Sequence, residues 1–229
     1  MNGHALTLGD QTLTALPSGA LWWESERLLC VSDLHMGKAE RIARLGGSMI
    51  PPYETQDTLA RLDAAIAATH PKTVICLGDS FDDRAAVAAM SEDERLWLAR
   101  LQAGRLWVWI EGNHDPGPMD LGGTTRVEYQ HKGIVFRHIA AGVTPESPEV
   151  SGHYHPKAKL QARGRSFSRP AFLCDGHRLI LPAFGTYTGG LKCTAPVLQA
   201  LFQPPVIALM TGERVTPVPV LTRSGALAQ

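Results

Sequence analysis

The chain has 229 residues, 44% of them hydrophobic, so it is long enough to bury a sizeable core. Its 22 basic and 22 acidic residues cancel, which excludes a global charge that attracts nucleic acid, membranes or acidic partners. Any binding site for a polyanion must therefore be local. No apolar run approaches the ~18 residues of a membrane span, and Met1 to Thr14 lacks the segments of a signal peptide. We expect a cytoplasmic protein that does not associate with a membrane.

The cysteines show no Cys-x-x-Cys spacing, and two of them lie inside apolar runs. This pattern is typical of buried free thiols. The four residues are Cys30, Cys76, Cys174 and Cys193.

Three short apolar runs in the first half of the chain are typical of buried strands. They are Arg27–Ser32, Thr73–Leu77 and Arg105–Ile110. Helical patterns lie between them. One follows the breaker Pro51-Pro52 and has three apolar residues on one face: Leu59, Leu62 and Ile66. The other begins with a capping box of Ser91 and Glu94 and continues through Leu96, Leu98 and Leu101.

After about residue 124 the pattern changes to short extended segments separated by Gly, Pro and basic turns. These segments are Thr125–Gln130, Gly133–Arg137, Ala171–Cys174, Arg178–Leu181 and Val206–Met210. No linker separates the two halves. The sequence therefore predicts an α/β fold with sheets inside and helices outside, as a single domain over residues 1–229.

Each strand predicted in the first half ends in side chains of the types that bind metals. The segments are Asp33-Leu34-His35, Gly78-Asp79-Ser80-Phe81-Asp82 and Gly112-Asn113-His114-Asp115. The carboxyl ends of strands border the ligand crevice of an open α/β sheet, so three strands deliver these groups to one place. A metal site is the predicted result.

Residues two apart on an extended segment point the same way, so Asp33 and His35 are predicted to share one ion, with Leu34 in the core. The same spacing recurs at His153 and His155, and one more imidazole follows an apolar run at His138. Any one such histidine is ordinarily structural. Together, so many polar groups at strand ends would burden the fold unless they bound a ligand.

The order of these motifs resembles that of the calcineurin-like metallophosphoesterases. It runs Asp-x-His, Gly-Asp-x-x-Asp, Gly-Asn-His-Asp, a lone His and Gly-His-x-His, from Asp33 to His155. Three segments resemble more narrowly the bacterial DNA-ligase-associated branch of that superfamily: Asp33–Ala39, Gly152–Pro156 and Leu181–Gly190. The resemblance implies an α-β-β-α sandwich of two mixed sheets flanked by helices.

The resemblance also implies a site with two divalent metal ions. It implies one ion held by Asp33, His35 and His155, and a second held by Asn113, His138 and His153, with Asp79 bridging them. Such ligands suit Mn²⁺ best, with Fe or Zn²⁺ as alternatives. The implied reaction is in-line attack of a metal-activated water on phosphorus, with His114 stabilising or protonating the leaving oxygen.

The sequence departs from the family pattern in two places. The Gly or Glu-Pro expected after the lone histidine is absent at His138, so its assignment rests on position. Asp82 matches the second acid of its motif but has an acidic neighbour, Asp83, and neither is assigned to a metal.

The resemblance implies DNA or another phosphodiester as the substrate, cut in DNA repair. It further implies a functional association with an ATP-dependent DNA ligase, a helicase and an exonuclease. A nucleotide, a cyclic nucleotide or another small phosphoester is the alternative substrate. The oligomeric state stays open, a homo-oligomer included.

Two local features bear on phosphate binding. Lys38 lies three residues beyond His35, where it can meet a substrate phosphate, although its surroundings do not form a Walker A loop. The stretch from Ser151 to Cys174 contains five basic residues and no acidic one. This basic segment is either a phosphate-tracking surface or a solvated hairpin. Its basic residues are Lys157, Lys159, Arg163, Arg165 and Arg169.

Two other functions are compatible with parts of the sequence. A serine esterase would place its nucleophile in Gly78-Asp79-Ser80, but it needs a downstream Asp-x-x-His, which the C-terminal region lacks. A catalytically silent scaffold would tolerate the loss of ligands, yet the ligand set is complete.

The tryptophans suit either base stacking or packing in a core. The alternation of Trp107 and Trp109 with apolar residues favours the core.

Overall fold

The computed structural model describes residues 2–47, 50–142, 145–162 and 164–220. Sheet 1 is formed by β1 (His4–Leu8), β2 (Gln11–Ala15), β3 (Leu21–Trp23), β4 (Leu28–Val31), β5 (Thr73–Leu77), β6 (Leu106–Ile110) and β7 (Thr124–Arg126). These strands lie side by side in chain order. β1 to β4 are antiparallel and β4 to β7 are parallel, so the carboxyl ends of β4, β5 and β6 meet at one edge.

Sheet 2 is formed by the second half of the chain. Its strands are β8 (Glu128–His131), β9 (Ile134–Arg137), β10 (Glu149–Ser151), β11 (Lys157–Ala162), β12 (Arg165–Cys174), β13 (Arg178–Ile180), β14 (Ile207–Met210) and β15 (Thr216–Pro219). The order across the sheet is β15-β14-β12-β13-β10-β9-β8, and β11 pairs with β12 as a hairpin. β10 is parallel to both β9 and β13, while the other pairs are antiparallel. Both sheets are therefore mixed.

The helices cover the outer faces of the two sheets. They are α1 (Lys38–Arg44), α2 (Glu54–Thr69), α3 (Arg84–Ala89), α4 (Glu92–Gln102) and α5 (Pro196–Gln199). Apolar residues of α2, α3 and α4 join the core on the outer face of sheet 1, and Leu198 of α5 joins the core on the outer face of sheet 2. The predicted capping box of Ser91 and Glu94 is formed at the start of α4, whose Leu98 and Leu101 are buried and Leu96 exposed.

Side chains of the central strands alternate between two cores. In β6, Trp107 and Trp109 pack towards the helices, whereas Val108 and Ile110 pack towards sheet 2. This alternation confirms the predicted layers and the core position of these tryptophans. The four cysteines are free and buried, also as predicted. Among the described residues, no helix combines the length and the apolar character needed to cross a membrane.

The single strand predicted over Thr125–Gln130 is wrong, because that segment forms two strands in different sheets. β7 is the edge of sheet 1 and β8 is the edge of sheet 2. Val127 lies between them and is 68% exposed, so the chain leaves one sheet there and enters the other. The alternation of residue types gives the strand conformation but not the sheet to which a strand belongs.

A buried ion pair joins the two strands at the centre of sheet 2. Arg178 of β13 donates from Nε to Glu149 Oε1 of β10 at 2.6 Å, and both side chains are fully buried. The remaining guanidinium hydrogens are donated to the backbone carbonyls of Ala141, Gly142 and Leu201. β10 runs directly into Gly152 and His153, so this pair fixes the strand that carries candidate ligands.

We expect Glu149→Ala to lower the free energy of unfolding by about 3–5 kcal/mol, because it leaves a buried guanidinium without its counter-charge. The midpoint of urea unfolding measures this loss. Glu128→Ala is the matched control, because Glu128 is half exposed and pairs with Arg137 at 3.3 Å on the surface. Its removal should cost less than about 1 kcal/mol. Equal losses in the two variants would contradict the assigned role of the buried pair.

Candidate metal centre

Seven candidate ligands from both sheets meet at one edge of the sandwich. Each follows the end of a strand: Asp33 and His35 after β4, Asp79 after β5, Asn113 after β6, His138 after β9, and His153 and His155 after β10. The structure thus brings together all of the ligands that the sequence predicts. They form two groups.

The first group consists of Asp33, His35 and His155, whose ligand atoms all lie within 4.8 Å of one another. His155 Nε2 is 3.1 Å from Asp33 Oδ1 and 3.4 Å from His35 Nε2. Two imidazole nitrogens that face each other at this distance, beside a carboxylate oxygen, match the donor set of a divalent cation.

The second group consists of Asp79, His138 and His153, again with ligand atoms within 4.8 Å of one another. His138 Nε2 is 3.3 Å from Asp79 Oδ2 and 3.3 Å from His153 Nδ1. Asn113 Oδ1 is 3.0 Å from the same His138 Nε2 and adds an amide oxygen. Asp79 thus lies in the second group, and its bridging role stays a prediction.

The hydrogen bonds behind the ligands fix the tautomers of two imidazoles. His35 Nδ1 lies 2.9 Å from Asp82 Oδ1, and His138 Nδ1 lies 2.8 Å from the carbonyl oxygen of Leu77. Both oxygens only accept, so each Nδ1 carries the hydrogen and each Nε2 keeps its lone pair inside its group. Metal-binding histidines are held in this way. The residues therefore fit two divalent cations.

The backbone at these ligands is not extended, so the extended geometry predicted for Asp33 and His35 is wrong. Five ligands have positive φ: Asp33 (53°), His35 (45°), Asp79 (44°), His153 (70°) and His155 (47°). His153 and His155 accordingly enter different groups. This conformation costs of order 1–3 kcal/mol per residue and persists where the surroundings impose it.

Backbone hydrogen bonds between the strand-end loops impose this left-handed conformation on the ligands. Asp33 N donates to the carbonyl oxygen of Gly78 at 3.3 Å, and His35 N donates to that of Asp79 at 2.9 Å. Gly185 N donates to the carbonyl oxygen of Asp33 at 3.1 Å. Leu34 is buried in the core, as predicted. Two other loops, one after β5 and one after β13, thus hold the first two ligands.

Neighbouring imidazoles keep the buried carboxylates ionised. Burial raises the pKa of Asp79, but the hydrogen bond and charge of His138 outweigh burial and lower that pKa to about 2. In Asp33 burial is likewise outweighed by the hydrogen bond and charge of His155, which lower the pKa. Burial, followed by the charge of His138, lowers the pKa of His153. Burial lowers the pKa of His138, but the hydrogen bond of Asp79 and the charges of Asp33 and Asp79 outweigh it and raise that pKa. Ionised acids are the form that binds metals, and a metal at His138 Nε2 would replace the proton that these acids favour there.

Asp82 supports the first group. Its side chain accepts from His35 and, at 3.0 Å, from Arg41 Nη1. Burial raises the pKa of Asp82, but these two contacts lower it to about 2. His114 Nδ1 lies 2.8 Å from the backbone oxygen of Asp82 and so donates to it. Asp82, His35 and His114 also lie close enough to form a three-residue group, but these hydrogen bonds make Asp82 a support for the histidines.

Asp115 supports the second group. Its two carboxylate oxygens accept four backbone N–H groups at 2.7–3.1 Å, those of Asp79, Ser80, Phe81 and Gly112. Burial raises the pKa of this acid to about 6, with a further contribution from the charge of Asp79. The sequence assigns no role to Asp82 or Asp115. Asp82 is the second acid of Gly-Asp-x-x-Asp and Asp115 is the acid that ends Gly-Asn-His-Asp, and these motif positions are the signal that identifies them.

The other predicted site residues lie beside the two groups. The His114 ring is 5.2 Å from the His35 ring, and its backbone N donates to Asp79 Oδ1 at 2.9 Å. Lys38 opens α1, and its Nζ is 4.0 Å from Asp82 Oδ1, so its charge is partly matched. His114 thus contacts residues of both groups, and Lys38 lies beside the acid that accepts from His35.

Two glycines permit the close approach of the loops. A Cβ atom at Gly152 would lie 1.7 Å from Ser32 Oγ and 2.5 Å from Asp33 Oδ2. One at Gly112 would lie 2.1 Å from Asp79 N. Both distances are far inside van der Waals contact, so any side chain at these positions displaces a ligand.

Comparisons with known proteins agree with this geometry. The family model of calcineurin-like phosphoesterases matches residues 26–190, more than half of the chain. The chain is also similar to a solved structure, the crystal structure of Pseudomonas putida nuclease MPE, with 29% sequence identity and a TM-score of 0.73. That similarity covers 94% of this chain and 100% of the other. A comparison with curated proteins gives no significant match.

We expect Asp82→Asn to weaken metal binding by about tenfold, because His35 loses the charged acceptor that orients it. Metal titration followed by calorimetry measures the affinity. Asp83→Asn is the matched control, because Asp83 caps α3 through Ala86 N and pairs with Arg44 on the surface. A wild-type affinity in Asp82→Asn would rule out the assigned support.

Gly152→Ala should reduce the metal bound per chain, because the added methyl group displaces Asp33 from the first group. Metal content after dialysis against Mn²⁺ tests this. Gly142→Ala is the control, since a Cβ atom there meets no described atom within 4 Å. Full metal content in Gly152→Ala would contradict the close approach of Gly152 to Asp33.

Proposed function

The chain belongs to the calcineurin-like phosphoesterase family and is a metal-dependent phosphoester hydrolase, and we propose that it is a nuclease that cuts phosphodiester bonds of DNA. The observation that carries the proposal is the pair of ligand groups with His114 beside them. The similarity to a structure described as a nuclease supports the choice of a nucleic-acid substrate.

The two groups would each hold one divalent cation, and Mn²⁺ suits their carboxylate, amide and imidazole donors. Asp33, His35 and His155 would hold one cation, and Asp79, Asn113, His138 and His153 the other. Two such cations lower the pKa of water and neutralise charge on phosphoryl oxygens.

His114 is the residue placed to protonate the leaving oxygen. Its Nδ1–H is engaged by the backbone oxygen of Asp82, so only Nε2 can deliver a proton. His114 must therefore be protonated on both nitrogens when it acts as the acid. The hydrogen bond to Asp82 also fixes the ring relative to the first group. Lys38 supplies a nearby positive charge for a phosphate oxygen.

A small phosphoester, such as a nucleotide or a cyclic nucleotide, is the second candidate substrate. It is favoured because each role assigned to a site residue would act on the phosphate, and none would act on the groups attached to it. A role in DNA repair, with an ATP-dependent DNA ligase, a helicase and an exonuclease as functional partners, rests on the sequence resemblance and is part of the proposal. A cytoplasmic location is also part of the proposal, and it is supported by the buried free cysteines.

The substrate is tested by comparing metal-stripped protein with protein reconstituted with Mn²⁺, Fe²⁺ or Zn²⁺. Four substrates separate the candidates: single-stranded DNA, double-stranded DNA, a chromogenic phosphodiester and a chromogenic phosphomonoester. We expect metal-dependent cleavage of DNA and of the chromogenic diester. Cleavage of the small esters alone would overturn the nuclease proposal.

We expect His114→Ala to keep both metals and to lose about 10²–10⁴-fold in turnover, because it removes only the acid. Asp79→Asn should lose metal as well as activity. His177→Ala is the control, since this histidine contacts the carbonyl oxygen of Pro145 on the surface. Metal content and kcat are measured on the same samples. A His114→Ala protein with wild-type kcat would show that the acid assignment is wrong.

A further inference from the structure

The loop that follows β13 holds an exposed tyrosine in a strained conformation beside the metal centre. Tyr187 has a φ of 60° and its side chain is 45% exposed. A bulky residue in the left-handed region is uncommon and marks a position that the surroundings impose. Within the described part of the chain, the ring makes no aromatic contact and no hydrogen bond.

The residues on both sides of Tyr187 are tied down. Thr186 donates from N to Thr58 Oγ1 at 3.2 Å and from Oγ1 to Asp57 Oδ2 at 2.5 Å, which fixes it to α2. Thr188 Oγ1 donates to the carbonyl oxygen of Gly185 at 3.2 Å. Gly185 itself donates to the backbone of Asp33, a candidate ligand. The loop is therefore rigid, and it presents the tyrosine ring to solvent next to the first ligand group.

Three lysines lie on the other side of this loop. Lys157, Lys159 and Lys192 line a cavity of about 290 Å³, whose other described lining residues include no acid. Lys157 Nζ donates to the carbonyl oxygen of Thr188 at 3.4 Å, and its backbone pairs with that of Lys192. The cavity thus adjoins both the Tyr187 loop and His155, which lies two residues before Lys157.

The ammonium groups of these lysines have no acidic partner. None lies within 4.0 Å of a carboxylate in the described ranges, whereas Lys38, Arg41 and Arg44 are matched by Asp82 and Asp83. Clustered unpaired ammonium groups repel one another, and an anion between them removes that cost. In a chain whose net charge is zero, this cluster is a local site for a polyanion.

The register of the hairpin separates these lysines from the other basic residues of the segment. Lys157 and Lys159 are two apart on β11 and share one face, about 7 Å apart along the strand. Arg169 pairs with Ala158 and therefore lies on the opposite face with Arg165. Arg163 lies outside the described residues. The basic segment is thus divided between two faces, and Lys157 and Lys159 share the face that Arg165 and Arg169 do not occupy.

We propose that Tyr187, Lys157, Lys159 and Lys192 form a binding path for a single-stranded nucleic acid that leaves the metal centre. The tyrosine ring stacks on one unpaired base, and the lysines contact the phosphates that follow it. Stacking requires a base whose face is open, so the path selects single-stranded over double-stranded segments. This inference rests on the proposed nuclease function and names the form of nucleic acid that the site takes.

The first test measures the affinity of a fluorescent oligonucleotide by anisotropy in EDTA, so that no cleavage occurs. Tyr187→Ala should weaken binding of a single strand by about tenfold, since a stacked base contributes about 1–3 kcal/mol. Tyr187→Phe should restore it, because phenylalanine keeps the ring. Tyr53→Ala is the matched control, since Tyr53 is 65% exposed and precedes α2. Binding by Tyr187→Ala within twofold of wild type overturns the stacking role.

The second test measures the salt dependence of the same binding. Each phosphate contact contributes about 0.7 to the slope of log affinity against log salt for a single strand. Lys159→Glu with Lys192→Glu should therefore reduce the slope by about 1.4, whereas Lys132→Glu on the turn before β9 should not change it. An unchanged slope in the double variant overturns the lysine contacts. Equal affinity of wild type for single and double strands overturns the selectivity.

The outcomes separate this inference from the nuclease proposal. If wild-type protein binds single strands through Tyr187 but cleaves no nucleic acid with any metal, the path stands and the nuclease proposal fails. If wild-type protein cleaves DNA and Tyr187→Ala shows the same KM, the path fails and the nuclease proposal stands. If both the path and the nuclease proposal hold, Tyr187→Ala should lower kcat/KM. The loss should be at least tenfold larger on the oligonucleotide than on the chromogenic diester.

Discussion

His138 reaches from sheet 2 to two buried carboxylates of sheet 1. Its Nε2 lies 3.3 Å from Asp79 Oδ2, and its Nδ1, which donates to the Leu77 carbonyl, lies 4.0 Å from Asp33 Oδ1. Imidazoles from the opposite sheet offset the burial of these acids: His138 acts mainly on Asp79, and His155 acts mainly on Asp33. The same contact joins the two ligand groups, so packing of the two sheets and assembly of the site are one event.

The backbone conformation around this contact costs free energy, whereas the packing lowers it. Five ligands occupy the left-handed region, and the loops that hold them exchange hydrogen bonds with one another. Such conformations cost free energy in the folded protein. Cations bound at both groups would return part of that free energy, because ligands that bind only the folded state stabilise it. Metal binding and folding would therefore stabilise each other, as the packing of the two sheets and the assembly of the site do.

The sequence predicts which side chains converge at the site but not their backbone conformation. Strand ends are visible as apolar runs that stop at Asp, Asn or His, so the convergence at the edge of β4, β5 and β6 can be read from residue types. The left-handed φ of Asp33 and the supporting bonds of Asp82 and Asp115 depend on loops that are distant in sequence. The short strands β1 to β3 escaped prediction, and β7 and β8 merged into one, because short patterns do not specify a partner strand.

The arrangement of charge determines how a substrate can reach the site. A net charge of zero gives no attraction at long range, and at physiological salt charges act over only about 8 Å. Arg41 and Arg44 are matched by Asp82 and Asp83 beside the first group, so they stabilise the protein more than they attract a ligand. The unpaired lysines near β11 are cations close to His155 that can act at short range. Specificity must then come from groups that contact the substrate directly.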